Sequence, residues 1–261
     1  MPFYAKPSGG YAISSTEGTA NIEACYDYLN PSGYVKDAVS GMLGNVSHES
    51  GLNPWRWQSD QVSLTDPYKG YGLMQFTPAY QYINLTGIPD HAPNTSTSSQ
   101  TAGASPDDAK GQLYVFIHDT LGKWNPYLWR TYWRASKYPA LYQQAQNILN
   151  TYGNGTTLTQ AQFATISNYQ DACLAFLGCY EGPAESDSNP LDVNYNTRVQ
   201  AAYQVKLILD QYQPGPGPGP GPGPGPGPGP GPTPPDPGPG FDLDDILFIK
   251  RVFIDKNHNL W

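Results

Sequence analysis

None of the four His residues (His48, His91, His118 and His258) is spaced from another as paired zinc ligands would be. His48-Glu49 has the start of H-E-x-x-H, but the second imidazole would have to stand at Leu52, and Gly51 and Pro54 would end the helix carrying it. Cysteine is scarce as well. Cys25, Cys173 and Cys179 form an odd set without C-x-x-C spacing, so buried, reduced thiols are expected. Basic charge is short: the formal net charge of −8 argues against a nucleic-acid partner, which selects a basic patch or stripe. No run approaches the ~18 apolar residues of a membrane span. The start, MPFYAKPSGGYAISS, has no basic stretch leading into an apolar one, so no signal peptide is expected. No motif calls for a cofactor or a metal.

Glycine and proline, by contrast, are abundant, at 28 and 27 residues, and many of them sit in one segment. From Pro214 to Gly240 the two alternate, broken only by TPPDP. The period is two, whereas collagen needs Gly at every third position. Proline at every second residue removes backbone donors and excludes both helix and ladder, so residues 214–240 read as an extended linker. At ~3.1 Å per residue it reaches at most roughly 80 Å. Beyond it, residues 241–261 (FDLDDILFIKRVFIDKNHNLW) are too apolar for a free tail and too few to bury that surface alone. They read as a docking segment for another protein.

Residues 1–213 read as one mainly helical domain. Ile22, Cys25, Tyr26 and Leu29 recur at helical spacing up to Asn30-Pro31-Ser32-Gly33. Val35, Val39, Met42, Leu43 and Val46 mark a second, amphipathic helix that runs into His48-Glu49 and stops at Gly51. Ser105-Pro106-Asp107-Asp108 resembles a helix start, with Leu113, Phe116, Ile117 and Leu121 as its buried stripe. Helical patterns also cover about 138–152, 160–180 and 197–212. The Gly/Pro/Ser/Thr-rich region between the second helix and Ser105 holds a small hairpin or only loops, and Asn94–Ser105 reads as a mobile loop.

Glu49 is the residue with chemistry to offer. It stands where a helix ends, and there both burial and the negative end of the macrodipole disfavour a charged carboxylate. Glycoside cleavage needs an acid that still carries its proton, because the leaving oxygen must be protonated as the C–O bond breaks. About twenty residues on comes GYGLMQF (Gly70–Phe76). Glycines on both sides of Tyr71 permit a tight turn close to a ligand, and the Gln75 amide can donate to and accept from sugar hydroxyls. The competing reading of this stretch is a hairpin strand with Leu73, Met74 and Phe76 in the core.

E-S-G-L-N-P after a helix, followed by G-x-G-L-M-Q, resembles the goose-type lysozyme and lytic transglycosylase superfamily. GMLGNVSHESGLNPWRWQ with GYGLMQFTP is similar, more closely, to the phage tail lysozyme family. The resemblance extends to QLYVFIHDTL (Gln112–Leu121), to ACLAFLGCYEGPAE (Ala172–Glu185) and to Asn196-Thr197-Arg198, and it covers about residues 18–212. It implies a lysozyme-like α+β domain with a cleft between two lobes and with bacterial peptidoglycan as substrate. Glu49 falls on the catalytic acid, Ser50 on the small polar residue beside it, and Tyr71 and Gln75 on the block lining the cleft. Tyr180 and Glu181 fall where related enzymes close the site from the far helix. The insert at Asn94–Ser105 departs from the pattern at the cleft rim.

A hydrolase also needs a group that activates water or stabilises the sugar cation. Asp60, Asp66 and Glu181 are the candidates, and the residues do not rank them. Related enzymes manage with a single Glu, by forming an anhydro sugar. Trp55 and Trp57 either stack on sugar faces or fill the core beneath the loop. Trp124, Trp129 and Trp133 read as helix anchors, and His48 is assigned no catalytic part. Three functions are consistent with this pattern: a peptidoglycan glycosidase of the phage virion or tail, tethered and docked through residues 241–261; an inactive virion protein that keeps the fold; and a freely released lytic enzyme. The last predicts a wall-binding domain after the linker, which 21 residues are too few to form.

Overall fold

The computed structural model describes residues 3–60, 68–91, 108–127, 135–182 and 190–214, with the Asp60 side chain excepted. All of these lie in one unit of the chain, Met1–Gly215. Residues 215–240 of the linker, the 241–261 segment, the Asn94–Ser105 loop, Asp66, Trp129, Trp133 and the helix start at Ser105 lie outside them.

Helix dominates the described residues. In chain order the elements are α1 (Thr16–Leu29), α2 (Lys36–Glu49), the short α3 (Ala79–Ile83), α4 (Asp108–Ile117), α5 (Pro139–Thr151), α6 (Gln160–Ala164), α7 (Tyr169–Phe176) and α8 (Leu191–Gln211). Among these residues β structure is limited to two isolated bridges, Trp57 with Tyr71 and Tyr71 with Phe76. Among the described residues, no helix is long and apolar enough to cross a membrane. The three cysteines are buried and reduced.

The second helix is not amphipathic in its surroundings. Every residue from Ala38 to Val46 is buried, because α2 is the central element and packs against α1, α7 and α8. Its glycines make this fit. A Cβ on Gly41 would lie 2.4 Å from the Cys173 backbone nitrogen, and one on Gly44 would lie 2.7 Å from the Arg198 carbonyl oxygen. Two neighbouring helices therefore approach α2 to backbone contact, and α8 lies alongside the end that carries Glu49. Gly51, with φ of +60°, takes the left-handed conformation that ends the helix where expected.

Residues 160–180 form two helices rather than one continuous helix. Thr159 and Gln162 make a reciprocal capping box at the start of α6. Asn168 then opens α7 by accepting from the Gln170 and Asp171 backbone N–H groups, so the chain turns between them and buries Ile166. At its far end α7 widens into one π turn, Leu177–Glu181, closed by the Gly182 N–H donating to the Leu177 carbonyl at 3.0 Å. Turns of this kind often mark functional positions. The last helix begins at Leu191, six residues before the periodicity placed it, directly after Pro190.

Candidate active site

Glu49 ends α2 and faces a cavity of about 810 Å³. Its side chain is 28% exposed and accepts a short hydrogen bond from Arg198, whose own side chain is only 2% exposed. The Arg198 guanidinium is held on three sides. Nε donates to Asn194 Oδ1 at 2.5 Å, one terminal nitrogen donates to the Asn45 carbonyl and Oδ1 at 3.3 Å, and the other reaches Glu49. Asn45 is fixed in turn by donating to the Gly41 and Cys173 carbonyls at 2.9 and 3.1 Å. Three helices thus lock one buried cation beside Glu49. This guanidinium sets a buried positive charge against Glu49, opposite in sign to the negative end of the α2 macrodipole.

The second acid in the cavity is Glu181, carried by the π turn. Its Oε1 is buried with no hydrogen-bond partner among the described residues. Burial, and after it the negative charge of Glu49, pushes its carboxyl up to about 8, with Arg198 pulling the other way. Glu181 is therefore the member of the pair that carries a proton near neutrality. The folded state binds that proton more tightly than the unfolded state, where the ordinary value of 4.5 holds. Stability attributable to this group is thus intact below about pH 4.5 and is lost as pH rises to about 8. Glu181→Gln is expected to match wild type near pH 4.5 and to exceed it by about 1–2 kcal/mol near pH 8, after discounting for the half-buried position. Urea unfolding at the two pH values measures this, and a constant difference between the proteins would contradict it.

Of the other candidates, Tyr180 and Gln75 also line the cavity. The Tyr180 ring stacks on Phe176 with centroids 4.8 Å apart and meets Phe116 edge-on, so only part of it faces the opening. Gln75 has a positive φ of 44°, and its amide nitrogen donates to the Arg56 and Gly72 carbonyls at 3.1 and 2.9 Å. Both of its N–H groups are thus committed to holding the turn. Ser59, also in the left-handed region at φ 59°, sits on the same rim. Conformations of this kind in non-glycine residues persist only where the surroundings enforce them.

Three sequence-based assignments are corrected. Ser50, Trp57 and Tyr71 are fully buried and do not face a ligand. Ser50 closes the last turn of α2 by donating to the Val46 carbonyl at 3.1 Å. Trp57 packs its ring 4.8 Å from that of Tyr71, in the core beneath the loop. The Tyr71 hydroxyl points inward and donates to Asp108 at 3.3 Å. Asp60 ends a short 3-10 turn, Gln58–Asp60, near the rim.

Two further groups escaped the sequence reading. Asp108 is fully buried and is met by the Tyr82 hydroxyl at 2.9 Å, Gln112 Nε2 at 2.7 Å and His91 Nδ1 at 3.0 Å. Gln112 accepts from the Leu73 backbone N–H at 2.6 Å and donates to the Pro54 carbonyl at 2.7 Å. The network ties the Gly70–Phe76 turn to the loop after Glu49, so GYGLMQF works as a brace for the site. Arg198 is the other. A basic residue on the buried stripe of α8, four residues after Asn194 and four before Ala202, was the available signal.

The chain is 42% identical over 82 residues to Morphogenesis protein 1 of Bacillus phage B103, a stretch that makes up 31% of this chain and 21% of that protein. The match therefore spans about a fifth of the relative's length. Residues 20–208, which hold Glu49, Glu181 and Arg198 together, match the phage tail lysozyme family, and the chain belongs to that family.

Proposed function

We propose that the protein is a peptidoglycan-degrading glycosidase that cuts the β-1,4 bond between N-acetylmuramic acid and N-acetylglucosamine, with Glu49 as the general acid. The observation that carries this reading is a carboxyl group at the end of a buried helix, opening on a cavity with a second acid and a buried cation. Glu49 protonates the leaving oxygen as the glycosidic bond breaks, and a carboxylate nearby stabilises the sugar cation or activates the attacking hydroxyl. Arg56, Lys123 and Gln75 on the cavity wall supply polar contacts for sugar hydroxyls and N-acetyl groups. The name of the phage B103 relative refers to morphogenesis, which favours an enzyme carried in the virion or tail over one released freely. In that setting the Pro-Gly linker is the tether, and residues 241–261 dock to another virion protein.

Mass spectrometry of muropeptides released from purified peptidoglycan tests the reading, with Glu49→Gln as the control. A new reducing end that is lost in the variant identifies a hydrolase, and a 1,6-anhydro product identifies a lytic transglycosylase. Absence of any Glu49-dependent product leaves only a structural virion protein with a lysozyme-family domain.

A further inference from the structure

Glu49 and Glu181 pose a charge problem together. Arg198 is bonded to Glu49, and Glu181 Oε1 is buried with no hydrogen-bond partner among the described residues, so an ionised Glu181 would place an unmet charge there. Two protonated acids would leave the buried Arg198 without a counterion. One proton on the pair leaves Arg198 its counterion and spares the buried Glu181 oxygen a charge. Two strongly interacting acids on one cavity titrate as a unit, and the proton then belongs to the pair rather than to either member.

We propose, on the basis of the glycosidase reading above, that Glu181 is the second catalytic carboxylate and that it shares a single proton with Glu49 across Arg198. At rest Glu181 holds the proton, and Arg198 holds Glu49 as the carboxylate. When the sugar chain enters, the proton passes to Glu49, and Arg198 neutralises Glu181 in its place. Glu49 then gives the proton to the leaving oxygen as the C–O bond breaks. Glu181, now ionised, accepts a proton from the attacking hydroxyl, whether that of water or the C6 hydroxyl of the same sugar, as the new C–O bond forms. One proton leaves the pair and one returns, so the resting arrangement is restored without an outside base. This reconciles a general acid at Glu49 with the guanidinium bonded to it.

The groups facing the pair are few. Arg198 comes from α8, His48 from α2, and Arg56 and Lys123 from the loops on the cavity wall. Tyr180 adjoins Glu181, with Asp119 behind it. Of these, Glu49 is the carboxylate that lines the same cavity as Glu181: Arg198, Arg56 and Lys123 are cationic, His48 is exposed to water, Asp119 is not on the cavity wall, and the Tyr180 hydroxyl is held well above its ordinary value by burial and by Glu181.

The test is a pair of measurements on the full chain. In the first, Glu181→Gln and Glu181→Asp are compared with wild type over a range of pH on purified peptidoglycan. Glu181→Gln is expected to lower kcat by about 10²–10³-fold with little change in KM and to move the alkaline limb of the kcat/KM profile to lower pH, while Glu181→Asp restores part of both. A merely structural Glu181 would lower the melting temperature without moving that limb. In the second, carboxyl carbon NMR follows Glu181 in wild type and in Glu49→Gln. Titration at about 8 in wild type, falling to lower pH in the variant, is expected. The proposal is overturned if Glu181→Gln retains the wild-type rate and profile, or if Glu181 titrates in the ordinary carboxylate range in both proteins. Inactivity of wild type on any peptidoglycan would overturn the glycosidase reading itself, and the catalytic role of Glu181 with it.

Discussion

Glu49→Gln is expected to lower the turnover of purified peptidoglycan by about 10²–10⁴-fold, the usual contribution of a positioned general acid, while the protein remains folded. The amide is nearly isosteric and still accepts a hydrogen bond from Arg198, so the packing of α2 against α8 is kept. Under the proposed mechanism, what it loses is the proton that the leaving oxygen requires. Removing the charge of Glu49 also removes one of the two influences that hold a proton on Glu181. Glu181 then ionises more readily and supplies a counterion to Arg198, which limits the loss of stability. Initial rates of muropeptide release, measured beside calorimetric unfolding, separate the two effects. A residual rate within about tenfold of wild type would move the acid role away from Glu49.

Arg198→Leu is expected to destabilise the fold strongly. It leaves a carboxylate at Glu49 and the polar groups of Asn45 and Asn194 in a buried site, without the donors that now satisfy them. Breaking one side of such a buried pair costs about 3–5 kcal/mol, on the order of 10 °C in Tm for a domain of this size. The loss is largest at neutral pH and shrinks in acid, where both carboxylates are protonated and need no counterion. Arg198→Lys recovers little, because an ammonium group cannot donate to Asn194, Asn45 and Glu49 from one planar fork. Thermal unfolding at neutral and acid pH measures the effect, and a pH-independent loss would show that the guanidinium acts through packing alone.

How much of this was legible beforehand depended on range. Local signals were sound: the spacing of Ile22, Cys25 and Leu29 placed α1, and Gly51 marked the end of α2 beside Glu49. Capping chemistry was available but was overridden by periodicity. Thr159 with Gln162 and Asn168 with Asp171 each open a helix, and together they divide a stretch that hydrophobic spacing alone joins. The misread residues are those whose role depends on a distant partner. Tyr71 presents the same side chain to a sugar or to a buried acid, and only the fold brings Asp108 to it from 37 residues away. Arg198 lies 149 residues from Glu49, and its hydrophobic-stripe position shows that it is buried but not what it neutralises. Trp57 and Ser50 follow the acid in sequence, yet the turn after α2 carries them inward.

The π turn at Leu177–Glu181 has a consequence for how this region can change through insertion and deletion. Its one extra residue relative to an α-helical turn sets the direction in which Glu181 leaves the helix. Deleting a residue from this stretch would let the turn relax to α-helix and swing the following side chain by about 100°, carrying the acid off the cavity wall while leaving composition and hydrophobicity almost untouched. Substitutions that preserve length, such as exchanges among small apolar residues at Leu177, would be absorbed by repacking. The reach of this acid is thus written in the number of residues before it, and a frame of the same length with altered letters would preserve it better than the same letters with one removed.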